Sequence, residues 1–84
     1  IADGLKTSLG KRNFPIIQSH VDEISLVTED EITEAWHFVL ARLKQFIEPS
    51  AATGVAACLK KSAQGKTGII LCGGNMDTQK WALR

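Results

Sequence analysis

Eighty-four residues leave room for one small domain, and a chain of that size buries only about 60–65% of its unfolded surface, so its core is thin. Ten Lys and Arg against nine Asp and Glu give a net charge of +1, which argues against a nucleic-acid stripe or a polybasic membrane patch. Hydrophobic residues make up 44%, which argues against disorder, and the apolar runs, such as Ile69 to Cys72, are far below the roughly 18 residues of a membrane helix.

Residues 1–20 read as a loop region, punctuated by Gly4, Gly10 and Pro15 with no sustained period. No signal peptide is visible, since Ile1 is followed at once by Ala2-Asp3-Gly4. There is no initiator Met, and the expectation is a piece of a longer protein. Val21 to Thr28 reads as a strand on Val21, Ile24, Leu26 and Val27. The period then changes. Thr28-Glu29-Asp30-Glu31 is a capping-box pattern, and its acidic residues suit the positive end of a helix dipole. From there Ile32, Trp36, Val39, Leu40, Leu43 and Phe46 recur at helical spacing, which predicts a long amphipathic helix over 29–46 with Trp36 and Phe46 in the core.

Pro49 stops that helix and Ser50 is positioned to cap a second, over 51–61. Ala51, Ala52, Gly54, Ala56 and Ala57 give the second helix a small face that can approach a neighbouring backbone or a ligand. Gln64-Gly65-Lys66 reads as a turn. Thr67 to Cys72 is an apolar run of strand length, predicted to be buried on both faces, and it ends in Gly73-Gly74-Asn75. The order loop, strand, helix, helix, strand implies an α/β fold, with part of a parallel sheet and flanking helices.

Two cysteines, Cys58 and Cys72, do not make a disulfide scaffold, lack C-x-x-C spacing, and suit a reduced, cytoplasmic setting. There is no His/Cys/Asp cluster with metal spacing, no nucleophile elbow and no Walker loop. His20 and His37 read as surface or half-buried polar residues, and Lys44 as a solvated or snorkelling side chain. The candidate ligand feature is Cys72-Gly73-Gly74-Asn75. In open α/β sheets ligands bind beyond the carboxyl ends of strands, and glycines there admit a phosphate or ring close to the backbone. A lone Gly-Gly is a weak signal beside the ordinary reading of a turn after a strand. Glu48, between a helix end and a helix start, reads by itself as a solvated loop acid.

The chain resembles the serine racemases and serine/threonine dehydratases. The resemblance rests on Ile1-Ala2-Asp3-Gly4-Leu5-Lys6-Thr7-Ser8-Leu9-Gly10, Phe14-Pro15-Ile16-Ile17, Val21-Asp22-Glu23-Ile24 and Val27-Thr28-Glu29-Asp30-Glu31-Ile32. It continues through Ile47-Glu48-Pro49-Ser50, Gly54-Val55-Ala56-Ala57 and Cys72-Gly73-Gly74-Asn75-Met76-Asp77, and so covers nearly the whole chain in order. It implies the type II pyridoxal phosphate fold, that of the tryptophan synthase β subunit, with residues 1–84 as the C-terminal segment of its large domain. The Schiff-base lysine, the small domain, the phosphate-binding glycine loop and the divalent-metal ligands of the racemases would all lie upstream. No catalytic or metal-ligating residue is therefore expected in this chain.

By resemblance, Gly4, Glu48 and Cys72 line the cofactor, with Cys72 beside the pyridine nitrogen. A neutral partner there does not hold a proton on the ring and so limits it as an electron sink. Thr7 matches a hydroxyl residue near the substrate. Lys44 and Asn75 match contacts of a nucleotide activator in animal-type racemases. Racemases usually carry Ser where this chain has Cys72, and dehydratases more often Cys. The resemblance therefore ranks a lyase acting on serine, threonine or 3-hydroxyaspartate first and a serine racemase second. A non-catalytic module holding a phosphate ligand, and an inert fragment, are the readings from other classes. The implied partners are an amino-acid substrate, the rest of the same chain and a second copy in a homodimer, with no nucleic acid or membrane.

Overall fold

The computed structural model describes residues 1–5, 7–62 and 64–77; Lys6 of the first motif lies outside them. Residues 1–20 are not all loop. A 3-10 turn covers Asp3–Leu5, and helix α1 covers Asn13–His20. Pro15 does not prevent α1 because it stands in the first turn, where a backbone N–H has no intrahelical partner to lose. None of the α1 residues is buried within this chain.

Helix α2 runs Glu29–Phe38 and begins as its sequence predicts. Thr28 accepts from the Glu31 N–H at 3.2 Å, and the Glu31 carboxylate accepts from the Thr28 N–H at 2.8 Å. The Thr28 backbone N–H, chiefly, holds the Glu31 carboxyl below the usual carboxylate range, with the Thr28 hydroxyl and the Lys60 ammonium adding to it. A carboxyl lowered on folding contributes stability above its unfolded value of about 4.3 and loses it as the pH falls through the folded value. In the full-length protein, side-chain NMR should therefore place the Glu31 midpoint below that of an unstructured Glu. Thr28→Ala should cost about 1 kcal/mol and move the midpoint part-way back up. An ordinary Glu31 midpoint in the parent would show that the box does not form in solution.

The long helix predicted to Phe46 stops earlier. Past Phe38 it widens into a π turn, Val39–Leu43, and Lys44 takes a left-handed conformation (φ 57°) that ends it. Lys44 is thus a terminating residue rather than part of a helical face. The reversal removes Phe46 from the apolar stripe, and its side chain is 54% exposed rather than in the core. It also brings Ile47 under Trp36, whose indole N–H donates to the Ile47 carbonyl at 2.7 Å in a buried contact.

The second helical segment is split. Residues Pro49–Ala52 form a 3-10 turn and α3 covers Thr53–Lys61, without a side-chain cap on either. Ser50 does not cap; its hydroxyl serves elsewhere. The small face behaves as its composition suggests. Ala51, Ala52, Val55 and Ala56 pack with Ile32, Ala35, Trp36, Val39 and Ile47 into one core, with Leu71 and Met76 partly buried against it.

Neither predicted strand forms among the described residues, which hold helices and turns only. Apolar and β-branched residues favour extended backbone, but a strand exists only when a neighbour takes its N–H and C=O groups. Segment 21–26 is held by side chains instead. Lys60 donates to the Leu26 carbonyl at 3.2 Å and pairs with Glu31 at 3.5 Å, and Lys61 pairs with Glu23. Ile24 is 71% and Leu26 83% exposed. The run 67–72 forms no ladder among the described residues. It is not buried on both faces, since Ile70 is 84% exposed and Leu71 alone turns toward the core. No helix among the described residues is long and apolar enough to cross a membrane.

Candidate cofactor-binding wall

Three stretches distant in sequence meet at residues 48–50. The first is the 3-10 turn Asp3–Leu5, the second the link from the π turn to Pro49, and the third the glycine loop after residue 72. Pro49 fixes the start of a 3-10 turn, and the Ala51 N–H closes on the Glu48 carbonyl at 3.0 Å, which sets Glu48 at the turn's entrance with extended backbone (ψ 154°). The Glu48 N–H is left outside the turn and donates to the Gly73 carbonyl at 3.1 Å. Gly73 has φ +105°, open to glycine and strained for any other residue, and a Cβ there would fall on the Glu48 carboxylate. Gly74 passes next to the Phe46 carbonyl, 3.6 Å from where its Cβ would stand.

On the other side the Gly4 N–H donates to Ser50 Oγ at 3.1 Å, and a Cβ on Gly4 would stand 3.1 Å from the same oxygen. Ser50 is in turn fixed through its carbonyl, which accepts from the Thr53 hydroxyl at 3.0 Å. The structure thus brings Gly4 and Glu48 to one place, with Cys72 adjoining through Gly73. Cys72 is an exposed free thiol rather than a buried one, because the run before it is uncovered. Thr7 is exposed in the loop that follows Gly4, its N–H donating to the Leu5 carbonyl at 2.9 Å. Lys44 and Asn75 are both exposed. Each lies within two residues of the Gly74–Phe46 approach, which brings their neighbourhoods together.

Sequence reasoning missed the Ser50–Gly4 bond, because a Ser after Pro49 signals a cap and nothing local marks a partner 46 positions away. It also missed the Gly73–Glu48 closure, for which the Gly-Gly pair was the one available sign. A cleft of about 430 Å³ between α3 and residues 67–70 is lined by Gly54, Cys58, Lys61 and Ile69 among others, and by none of the candidate residues. Among the described residues there is no group of three or more His, Cys, Asp or Glu that could hold a metal ion.

Residues 1–73 match the family model described as pyridoxal-phosphate dependent enzyme. The serine racemase of Dictyostelium discoideum is 50% identical over 92% of this chain and 25% of its own length. The L-threo-3-hydroxyaspartate ammonia-lyase of Saccharomyces cerevisiae is 42% identical over 98% of this chain and 26% of its own. Human serine racemase is 47% identical over 92% and 24%. The chain therefore spans about a quarter of the length of these relatives. The crystal structure of the Dictyostelium discoideum serine racemase overlays 92% of the chain with a TM-score of 0.84, covering 27% of that structure. That likeness is consistent with an α/β architecture, although the described residues themselves hold only helices.

Proposed function

The chain belongs to the pyridoxal-phosphate dependent enzymes, and from that premise we propose that residues 1–84 are the C-terminal segment of the large domain of an amino-acid ammonia-lyase. Its substrate class is a β-hydroxy amino acid: serine, threonine or 3-hydroxyaspartate. The observation that carries the reading is the meeting of Gly4, Glu48 and Gly73 at one wall, with Cys72 beside it. Ser50 Oγ packs against Gly4 and the Glu48 carboxylate against Gly73, which draws the main chain of three stretches into one wall, and Cys72 supplies an exposed thiol beside it. These residues fit a flat heterocycle lying against backbone. When bound, pyridoxal phosphate supplies an electron sink for the substrate α-carbon.

In this reading Gly4 and Glu48 line the ring, Cys72 faces its nitrogen, and Thr7 orients the substrate. Net elimination removes the α-proton and the β-hydroxyl as water; hydrolysis of the resulting imine then gives a 2-oxo acid and ammonia. Racemisation is the second reading, favoured by the 50% identity to a serine racemase, and it reprotonates the same carbon on its opposite face. We place Lys44 and Asn75 at a nucleotide-activator site, the divalent metal on upstream residues, and the enzyme in the cytoplasm as a homodimer. Segments 21–28 and 67–72 become strands of a parallel sheet when upstream strands adjoin them.

The test uses the full-length protein loaded with pyridoxal phosphate. Oxo acid and ammonia should appear from at least one of the three substrates, with D-serine measured alongside. Cys72→Ser should keep the cofactor's visible spectrum and most of the elimination. Cys72→Asp places a negative charge at the ring and should raise the nitrogen's pKa by about 1–3 units, since the opposite charge stabilises the protonated form. Nitrogen NMR of labelled cofactor reads this directly. An unchanged nitrogen shift in the Asp variant would remove Cys72 from the ring.

A further inference from the structure

We propose that Ser50 is a positioning residue, whose hydroxyl holds the Gly4 main chain against the 48–50 turn and so sets the part of the wall that Gly4 forms. The inference rests on the assignment of Gly4 to the cofactor wall. The Gly4 N–H donates to Ser50 Oγ at 3.1 Å, across 46 positions of sequence. Among the described residues it joins the Asp3–Leu5 turn to the Pro49–Ala52 turn, whereas the backbone bonds of that stretch, Leu5 to Ala2 and Thr7 to Leu5, are local, and Ile1 ahead of it pairs with Glu29. Gly4 has no side chain to anchor it. A Cβ on Gly4 would stand 3.1 Å from the same oxygen, so the glycine is what lets the two approach.

Ser50 is itself constrained. Pro49 precedes it, it lies within the 3-10 turn Pro49–Ala52, and its carbonyl accepts from the Thr53 hydroxyl at 3.0 Å. Two residues before it, the Glu48 N–H holds the Gly73 carbonyl at 3.1 Å. One short turn therefore fixes the first stretch through a side chain and the last through its main chain. Losing the Ser50 oxygen frees Gly4, and Thr7 behind it, while leaving the Glu48–Gly73 bond in place.

The pair Ser50→Thr and Ser50→Val separates the hydroxyl from the shape, because Thr and Val are nearly isosteric and Thr alone keeps the acceptor. The full-length protein is used, with hydrogen exchange of the Gly4 amide followed in its cofactor-free form. Exchange should accelerate about 5- to 10-fold in Ser50→Val, the worth of one hydrogen bond, with Ser50→Thr near the parent and the Val39 amide unchanged in both. In the loaded enzyme Ser50→Val should lower kcat/KM about 10-fold and weaken the induced circular dichroism of the bound cofactor, and Ser50→Thr should restore both. A Gly4 amide unprotected in the parent, or one that accelerates in Ser50→Val with spectrum and kinetics unmoved, overturns the proposal. So does equal damage by Thr and Val, which would assign the effect to packing. A parent that takes up no pyridoxal phosphate fails the functional reading instead, and the exchange experiment still decides whether the Ser50 bond exists. Should Ser50→Val not fold, Ser50→Ala is compared with Ser50→Thr by the same measurements.

Discussion

Trp36→Ala in the full-length protein is expected to lower the free energy of unfolding by about 3–5 kcal/mol, the range for truncating a buried aromatic side chain. Trp36 belongs to a small core with Ile32 on its own helix, Val39 in the π turn, and Ile47 and the alanines of the following segments. Its ring also does a second job. The indole N–H donates to the Ile47 carbonyl at 2.7 Å, out of contact with water, and pins the chain where it turns back after Lys44. Trp36→Phe tests that bond separately. It keeps much of the apolar surface but leaves a buried carbonyl without this donor, for an expected loss of about 1–3 kcal/mol. Urea unfolding of the parent and both variants measures the two losses. Equal midpoints for Trp36→Phe and the parent would mean that the bond contributes nothing, and that packing alone sets the reversal.

Gly73→Ala should cost about 1–3 kcal/mol of stability and weaken pyridoxal phosphate binding at least 10-fold, while Gly74→Ala next to it should change either by little. Gly73 has φ +105°, where a side chain is strained, and a Cβ there would meet the Glu48 carboxylate and push it aside. Gly74 has no positive φ, and its Cβ would stand 3.6 Å from the Phe46 carbonyl, an ordinary contact. The two substitutions are chemically identical and adjacent, so the difference between them isolates the geometry of the closure. Thermal unfolding of the cofactor-free protein and titration with pyridoxal phosphate give the two quantities. If Gly73→Ala behaves like Gly74→Ala in both, the glycine loop does not close over Glu48 in solution.

The start of α2 could be read residue by residue, because a capping box is complete within four positions and needs nothing from the rest of the chain. The apolar face of Ile32, Trp36 and Val39 was legible for the same reason, since a helix makes its hydrogen bonds internally. The family, too, could be recognised from short motifs in order, and residues 1–73 match its model. Gly4, Glu48 and Cys72 were named from those motifs, but their proximity rests on bonds between residues far apart, which no local pattern carries.

Tertiary structure alone decided the end of the long helix. The period runs on through Leu43 and Phe46, yet Lys44 turns left-handed, and after the reversal the Ile47 carbonyl lies under Trp36. It also decided the use of Ser50, read as a cap and found as the acceptor for Gly4. The two predicted strands differ from the helices in kind. Val21–Thr28 and 67–72 carry strand-forming residues, but a strand's hydrogen bonds all lie with a neighbour, and within the described residues neither has one. Composition determines that such a segment is apolar and favours extended backbone. Whether it becomes part of a sheet depends on the chain that lies beside it.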